Sequence, residues 1–414
     1  MATVLLIGTL DTKGREIAYL RDRVRSLGLG TLVLDSGILG EPLGCEADIT
    51  RAEVARAAGY DLDALRTIGA RGAAVERMVH GVQRLATDLC AAGRFDALIC
   101  LGGAEGSVLG AAAAKALPIG LPKIIVSPIA SGQRRFGMFM GTRDVLVMHS
   151  IIDILGINPI SATVFDNAAA AIWGMLQHGH RLDLRQGHAG AAAERYVAVT
   201  MLGNTTSGVM VVKDRLAEHG YEAVIFHSNG VGGPAMEELI AQGMFAGVID
   251  YTTNELSDPL LGGFHAAPER LEQAGALGLP QVVVPGCVDF AAFGPRQAVP
   301  EALRERPAYY HNPEFTLIRL NRDEMATVGA TMARKLSAAR GPVSVLVPLG
   351  GLSIPNVPGG AFYDPPADAA FRDALVGGLR PGIPVRLVEA HVNDSSFAAA
   401  VADTFLELIE GNRQ

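Results

Sequence analysis

The sequence predicts an α/β protein with two Rossmann-like, doubly wound domains, mainly parallel sheets and a ligand cleft between the domains. The chain has 414 residues, which exceeds the roughly 250–300 residues at which a single hydrophobic core usually stops growing. Short apolar bursts alternate with longer segments of helical periodicity, a pattern typical of parallel strands covered on both faces. The strand–turn–helix–strand pattern of residues 4–37 recurs in residues 197–230, which indicates two domains built on one plan.

The predicted strands are short, non-alternating and rich in β-branched side chains. They span residues 3–8, 31–35, 97–101, 123–127, 196–202, 222–226, 246–251, 280–286, 343–351 and 384–390. Between the first two strands, apolar residues recur at three- and four-residue steps, which predicts a helix with one face on a sheet. These residues are Ile17, Leu20, Val24 and Leu27.

A change of composition at residues 185–195, RQGHAGAAAER, predicts the connection between the domains, because this segment is small, polar and aperiodic. The predicted domains are therefore residues 1–188 and 189–414. Residues 395–410 have the spacing of an amphipathic helix, which could cross back onto the first domain.

The overall composition excludes several classes of protein. A content of 49% hydrophobic and 19% charged residues indicates a well-buried globular chain. No window approaches the roughly 18 consecutive apolar residues of a membrane span, and the first residues lack the basic region of a secretory signal. We therefore expect a cytoplasmic protein without a membrane partner. A net charge of −8, spread thinly, argues against nucleic-acid binding.

The first strand-to-helix turn, GTLDTKG, is chemically unusual. In parallel α/β sheets, ligands bind at the carboxyl ends of strands, where such turns expose backbone N–H groups. Gly8 permits close backbone approach, and Asp11 or Thr12 can cap the helix that follows. Lys13 places a cation at the helix start, which costs about 0.3–1 kcal/mol and is better tolerated beside a bound anion. The alternative is an ordinary capped helix with a lysine that faces solvent.

The second unusual turn, LGGAEGS at residues 101–107, matches neither the Walker A pattern nor G-x-G-x-x-G. Gly102, Gly103 and Gly106 nevertheless permit a nest of N–H groups at a helix start, with Ser107 as an extra donor. Glycines that allow tight packing of a strand against a helix are the alternative explanation.

A third region supplies further polar groups after strand material. Ser131, Gly132 and Thr142 are candidate ligand contacts, and Asp144 could approach a metal ion. Asp35 ends the second predicted strand, where an acidic residue can bind a ribose; its alternative role is a turn cap. Three such turns in one domain favour a nucleoside triphosphate with a divalent ion as the ligand.

The loops of the second domain carry hydroxyls, amides and imidazoles at strand ends, including GNTTSG, HSNGVGG and DYTTNELSD. This chemistry suits a small polar molecule that is sugar-like or carboxylated. Asp289 and His311 are candidate general bases. Each histidine could instead be a hydrogen-bonded structural residue.

Ordered phrases along the whole chain resemble one family, the Tm-one-like ATP-binding family. They are GTLDTKGRE, DSGILGEP, LGGAEGS, MGTRDVLVMHSIIDILGINPIS, GNTTSGV, FHSNGVGGPAME, VPGCVDF and LVPLGGLSIPNVPGGAFYDP. The resemblance implies two Rossmann-like domains, ATP and magnesium in the first domain, and a homodimer or larger homo-oligomer. Because the plant member carries an additional TIM-barrel-like domain, a separate polypeptide of that type is a candidate partner.

The residues and the resemblance together define the predicted site. The candidate nucleotide contacts are Gly8, Thr9, Asp11, Thr12, Lys13, Asp35, Ser36, Gly102, Gly103, Glu105, Gly106, Ser107, Ser131, Gly132 and Thr142, with Asp11 and Asp144 as metal ligands. Lys13 would neutralise phosphate charge, and Asp289 or His311 would act on a sugar-acid-like metabolite. Two alternatives stay open: a non-catalytic ATP-gated module that a partner protein binds, and an enzyme that processes nucleotide sugars.

Overall fold

The structure is a computed structural model that describes residues 1–68, 71–130, 137–179 and 195–411. The chain divides into two compact units, Met1–Asp183 and Leu184–Gln414. The connecting segment predicted at residues 185–195 lies, apart from Arg195, outside the described residues. None of the helices in the described ranges combines the length and apolar character needed to cross a bilayer.

The first unit contains a five-stranded parallel sheet with the order β2-β1-β3-β4-β5. Its strands are β1 (Thr3–Gly8), β2 (Gly30–Asp35), β3 (Ala97–Leu101), β4 (Lys123–Ser127) and β5 (Leu146–His149). Its described helices are α1 (Leu10–Ser26), α2 (Arg51–Ala57), α3 (Leu62–Arg66), α4 (Arg71–Ala91), α5 (Ala104–Ala116), α6 (Gly137–Met140) and α7 (Pro159–His178). Strand β5 was not among the strands predicted from the sequence.

Both faces of the first sheet are buried, as the non-alternating strands predicted. Successive side chains of a strand point to opposite faces, so the apolar residues of β1 enter two different cores. Leu5 joins a cluster that includes Met78 of α4, whereas Leu6 joins a cluster that includes Phe165 of α7. Helices on both faces make this a doubly wound unit.

The second unit contains a six-stranded parallel sheet with the order β14-β13-β9-β8-β6-β7. Its strands are β6 (Tyr196–Met201), β7 (Glu222–His227), β8 (Gly247–Thr252), β9 (Gln281–Gly286), β13 (Val343–Pro348) and β14 (Val385–Val388). Its described helices are α8 (Thr206–Glu218), α9 (Gly232–Ala241), α10 (Asp258–Leu261), α11 (Gln273–Leu277), α12 (Arg322–Ser337), α13 (Pro365–Gly378) and α14 (Ser395–Gly411).

A small antiparallel sheet is inserted after β9, and the sequence did not predict it. It consists of β10 (Phe290–Phe293), β11 (Ala308–Asn312) and β12 (Phe315–Arg319), with the order β10-β12-β11. Apart from this insertion, the prediction of an α/β fold with two mainly parallel sheets is confirmed.

The final helix, α14, packs within the second unit. Phe397, Val401 and Phe405 are fully buried in a cluster that also contains residues of β6, β8 and α8. The sheet of its own unit takes up the apolar face of this helix, and the expectation that it could cross back onto the first domain stays a prediction.

We expect two Gly→Ala substitutions in the packed pair α12–α13 to have opposite effects on stability. A Cβ at Gly329 would lie 2.3 Å from the backbone oxygen of Phe371, whereas one at Gly377 would meet no described atom within 4 Å. Gly329→Ala should therefore lower the free energy of unfolding by about 1–3 kcal/mol. Gly377→Ala should raise it by up to about 1 kcal/mol, because alanine loses less backbone entropy in a helix. Urea unfolding followed by circular dichroism measures both, and equal effects would contradict the packing described here.

Candidate functional site

The order of each parallel sheet defines one crevice at its carboxyl edge. In the first unit, β1 lies between β2 and β3. The connections that follow β1 and β3 therefore run to opposite sides, and a crevice opens between the ends of these two strands. The two turns at this point are in contact, since a Cβ at Gly106 would lie 3.9 Å from the side chain of Thr9. The Thr9 and Thr12 hydroxyls lie 2.8 Å apart. The structure therefore brings the two predicted glycine turns together.

Of the four predicted contact glycines that lie within the described residues, Gly103 has the most open surroundings. No atom of the described residues lies within 4 Å of a Cβ built at Gly103. By contrast, a Cβ at Gly8 would lie 2.7 Å from Ile17, and one at Gly102 would lie 2.7 Å from the Cα of Gly106. Gly8 and Gly102 thus serve tight packing, the alternative explanation, whereas none of the described residues packs against Gly103.

Helix α5 begins beside this space. Its N-cap is Gly103, and within the described residues no side chain accepts a hydrogen bond from its first amides. Ser107 does not supply an extra donor as predicted, because its buried Oγ lies 3.0 Å from the Gly102 oxygen and 2.6 Å from Ser127 Oγ. Glu105 lies in the first turn, where the helix dipole favours a negative charge.

Lys13 is neither a free solvent-facing lysine nor a free cation. Its Nζ donates to the backbone oxygen of Ile154, and Glu16 Oε1 accepts a hydrogen bond of 2.5 Å from the Gly156 amide. The two side chains hold the loop that follows β5 against α1. An ammonium group has three N–H donors, so Lys13 keeps donors beyond this contact.

Asp35 caps a turn and is not exposed to a ribose, so the ribose prediction is wrong. Its side chain is 1% exposed, and Oδ1 accepts hydrogen bonds from the amides of Leu10 at 3.0 Å and Gly37 at 2.8 Å. Oδ2 lies 3.4 Å from Arg51 Nε. Burial raises the pKa of this carboxyl, although the amides and Arg51 oppose the shift. The neighbouring Ser36 is fully buried, and its predicted contact with nucleotide stays a prediction.

The two predicted metal ligands lie at opposite edges of the sheet. Asp11 follows β1 and accepts hydrogen bonds through Oδ2 from the amides of Leu39 and Gly40, at 3.2 and 3.1 Å. Asp144 precedes β5, and its Oδ1 lies 2.8 Å from Lys123 Nζ at the start of β4. Parallel strands keep their amino ends together, so the predicted joint metal site is wrong.

The other predicted nucleotide contacts of the first unit lie either at the opposite edge of the sheet from the crevice or outside the described residues. Thr142 lies at the amino edge with Asp144 and accepts a hydrogen bond of 2.7 Å from Arg143 Nη1, so its predicted nucleotide contact is wrong. Ser131 and Gly132 lie outside the described residues. Within the described ranges, no group of three or more His, Cys, Asp or Glu side chains could hold a metal ion.

The second unit repeats the crevice between the ends of β6 and β8, because β6 lies between β7 and β8. The turns after the two strands are joined by the Thr205 and Thr252 hydroxyls, which lie 2.7 Å apart. His311, an exposed residue of β11, reaches this edge, since its ring lies 3.7 Å from a Cβ built at Gly203.

Asp289, the other predicted base, is fully buried. Its Oδ2 accepts a hydrogen bond of 2.6 Å from Ser353 Oγ, and burial raises the pKa of the carboxyl. A general base must come within hydrogen-bond distance of its substrate, and Asp289 Oδ2 is already taken by Ser353. The structure therefore favours a structural role for Asp289.

A buried ionic cluster supports the second crevice, and the sequence analysis missed it. Arg270 is fully buried and pairs with Asp250 of β8 and with Glu255, while its Nε lies 3.6 Å from Glu237 of α9. Burial raises the pKa of Asp250 to about 6, although Arg270 opposes the shift. The one sequence signal was Asp250 itself, a carboxylate inside an apolar strand, which needs a buried partner.

The cluster also holds the turn after β7. Glu255 Oε1 accepts hydrogen bonds from the amides of Gly230 at 2.7 Å and Gly233 at 3.3 Å. Next to this turn, His265 is 6% exposed, and its Nδ1 lies 3.3 Å from Asn254 Nδ2. Burial lowers the pKa of His265 to about 4, with a further contribution from His227, so the imidazole is neutral at pH 7.

Two family models together match most of the chain. The N-terminal domain model of the uncharacterised protein family UPF0261 matches residues 2–181, and its C-terminal domain model matches residues 194–409. The chain belongs to the UPF0261 family. A UPF0261 protein of Clostridium tetani is 36% identical over 98% of this chain and 99% of its own length.

The predicted resemblance to the tomato family member is confirmed. The ToMV resistance protein Tm-1(GCR237) of Solanum lycopersicum is 34% identical over 99% of this chain but only 56% of its own length. The chain thus spans about half the length of this relative. A structure of S. aureus MnaA with UDP covers 68% of this chain and 79% of that chain, at 9% identity and a TM-score of 0.22, and this likeness is too weak to support an argument.

In this UPF0261 chain, we expect Arg270→Met to cost about 3–5 kcal/mol of unfolding free energy, because it leaves buried carboxylates without their cation. The loss should be smaller near about pH 5 than at neutral pH, since Asp250, whose pKa burial raises to about 6, can then be protonated. Urea unfolding of the wild type and the variant at both pH values measures the loss of unfolding free energy. Arg372→Met is the matched control: Arg372 forms a 3.4 Å pair with an exposed Asp373, which should contribute no more than about 1 kcal/mol. Equal losses in the two variants would show that the cluster has no special role.

His265 should make the protein sensitive to acid. Its pKa of about 4 in the folded state is below the unfolded value of about 6.5, so the unfolded state binds the proton first as the pH falls. Stability from this residue should be complete above about pH 6.5 and decline by up to about 3 kcal/mol towards pH 4.

His265→Gln should remove this component of the pH dependence, while the exposed His219→Gln should keep it. Urea unfolding of each variant and of the wild type at about pH 7.5 and about pH 4.5 measures the difference. The same acid loss in wild type and His265→Gln would contradict the assignment.

Proposed function

We propose that this chain binds ATP with magnesium at the crevice between β1 and β3, and that it acts on a small sugar-acid-like metabolite. The observation behind the proposal is that no described atom lies within 4 Å of a Cβ built at Gly103, next to a start of α5 that no described side chain caps. The first amides of a helix and its dipole, worth about half a positive charge, favour a phosphate group. A side chain at residue 103 would occupy the position of that group.

Neighbouring groups at the same edge suit the rest of a triphosphate. Thr12 is exposed on the first turn of α1, and Lys13 keeps N–H donors besides the one it gives to Ile154. Glu105 would repel a phosphate, and magnesium on the phosphates would lower that repulsion. Magnesium commonly keeps several waters and is held largely by substrate phosphates, so it does not require a cluster of protein ligands.

The first test uses Gly103→Val in the full chain. We expect ATP with magnesium to raise the melting temperature of the wild type, because a ligand at about 100 times its Kd stabilises the folded state by roughly 2.7 kcal/mol. The variant should fold, since no described atom lies within 4 Å of the new Cβ, but it should bind ATP at least about tenfold more weakly.

Gly174→Val is the matched control, because Gly174 of α7 is also free of described neighbours within 4 Å of a Cβ. It should keep the wild-type response to ATP. An unchanged response in Gly103→Val would overturn the nucleotide site. Tighter binding of UDP-sugars than of ATP would instead favour a nucleotide-sugar enzyme.

Phosphate release from ATP across a panel of sugar acids tests the reaction. Release that depends on one sugar acid would support an enzyme. ATP binding without release, together with capture of a separate TIM-barrel-type polypeptide only when ATP is present, would support the ATP-gated module. We also expect a homo-oligomer, which light scattering of the purified chain measures.

A further inference from the structure

We propose that the carboxyl edge of the second sheet, between the ends of β6 and β8, is a separate binding site for a small hydroxycarboxylate. The proposal rests on the proposed function for the idea that the chain handles a metabolite, but it does not depend on ATP. Four features of the second unit support it: two buried asparagine side chains, the start of α8, the contacts that hold these groups in place, and a neighbouring wall of aromatic and imidazole groups.

Two buried asparagine side chains at this edge each have an amide oxygen that accepts no hydrogen bond from the described residues. Asn204 follows β6 and is 2% exposed, and Asn254 follows β8 and is 0% exposed. The Oδ1 atoms of both have no hydrogen-bond partner among the described residues. A buried polar atom without a partner costs about 1–3 kcal/mol. Ligand hydroxyls that donate to these two oxygens would recover that free energy.

The start of α8 adds donors between the two strand ends. Its N-cap is Thr205, which caps no amide of the helix with its side chain within the described ranges. The Thr205 hydroxyl is instead occupied by Thr252 at 2.7 Å and by the Leu202 amide at 3.1 Å. Thr206 and Ser207 are exposed on the first turn. Their amides and the helix dipole favour an anionic group.

The groups that would contact the ligand are held rigidly by the protein. Asn393 donates from Nδ2 to the Asn204 backbone oxygen at 2.8 Å and accepts at Oδ1 from the Gly208 amide at 3.3 Å. It therefore ties the turn after β6 to the start of α8. On the other side, the Arg270 cluster holds the residues after β8, because Glu255 is one of its members. Such support keeps a site in its binding geometry.

The antiparallel insertion provides a wall beside this edge. His311 lies next to Gly203, and the Phe315 ring lies 5.7 Å from Phe264 and 6.4 Å from His265, measured between ring centroids. His265 is neutral at pH 7 because burial lowers its pKa. The wall is therefore composed of aromatic and imidazole groups, which suit the carbon skeleton and hydroxyls of a polar metabolite.

The combination specifies the ligand class. An anionic group is needed for the start of α8, and hydroxyl donors are needed for Asn204 and Asn254. A carboxylate with hydroxyl groups on its neighbouring carbons supplies both. A neutral polyol lacks the anion, and a simple carboxylate lacks the donors.

Calorimetric titration of the full chain tests the ligand class. We expect glycerate or gluconate to bind with a Kd below about 1 mM. Glycerol, which has no charge, and propionate, which has no hydroxyl, should each bind at least about tenfold more weakly. Absence of binding by both hydroxycarboxylates, or equal binding of propionate, would overturn the proposal.

Ser207→Asp tests the position of the site. The new carboxylate would repel the ligand at the start of α8, so the affinity for the hydroxycarboxylate should fall at least about tenfold. Misfolding would not explain this loss, because an acidic residue at a helix start stabilises the helix by about 0.3–1 kcal/mol. Ser207→Ala is the control and should bind within about threefold of the wild type, since the amide rather than the hydroxyl makes the contact.

ATP-induced thermal stabilisation of the same variants separates this proposal from the nucleotide site. Both Ser207 variants should keep the wild-type response to ATP. Undiminished hydroxycarboxylate binding in Ser207→Asp would overturn the second site and leave the first one unaffected. Conversely, Gly103→Val should lose the stabilisation by ATP and still bind the hydroxycarboxylate.

Discussion

The position of the first strand inside each sheet is the constraint on which the candidate sites depend. In both units the first strand lies between the second and third strands, so the connections that follow the first and the third strand run to opposite sides. A crevice must open at that point of the carboxyl edge. The chain meets this condition twice, at Thr9 and Gly103 in the first unit and at Asn204 and Asn254 in the second. In each case the N-cap residue of the helix that begins there caps no amide with a side chain of its own.

Polar side chains near these crevices mostly hold loops in place. Asp35 and Asp11 bind backbone amides of the segment after β2, and Glu255 binds amides of the turn after β7. Such contacts are favoured because a buried carboxylate loses its hydration and must recover it from N–H donors or a cation. Arg270 meets this need in the second unit, where three carboxylates surround one fully buried guanidinium. The backbone amides at the starts of α5 and α8 are therefore better candidates for ligand binding than these side chains.

This distinction explains which predicted site residues were wrong. A sequence shows that Asp35 ends a strand and that Ser107 follows a glycine turn, but it does not show which way either side chain turns. In the folded chain each side chain is hydrogen-bonded within the protein: Asp35 to backbone amides, and Ser107 to Ser127 at the end of β4. The glycine turns themselves were predicted correctly as neighbours, because the topology of a parallel sheet brings them to one edge.

The sequence by itself determined the family, the fold class and most strands, because apolar bursts and helical spacing are local properties of a chain. It also located the turns that meet at each carboxyl edge, since that follows from parallel topology. Only the tertiary structure separated Asp144 from Asp11, joined Arg270 to its three carboxylates and assigned α14 to the second sheet. Those outcomes depend on contacts between residues that are distant in sequence, and on the desolvation of charges, neither of which is encoded in local spacing.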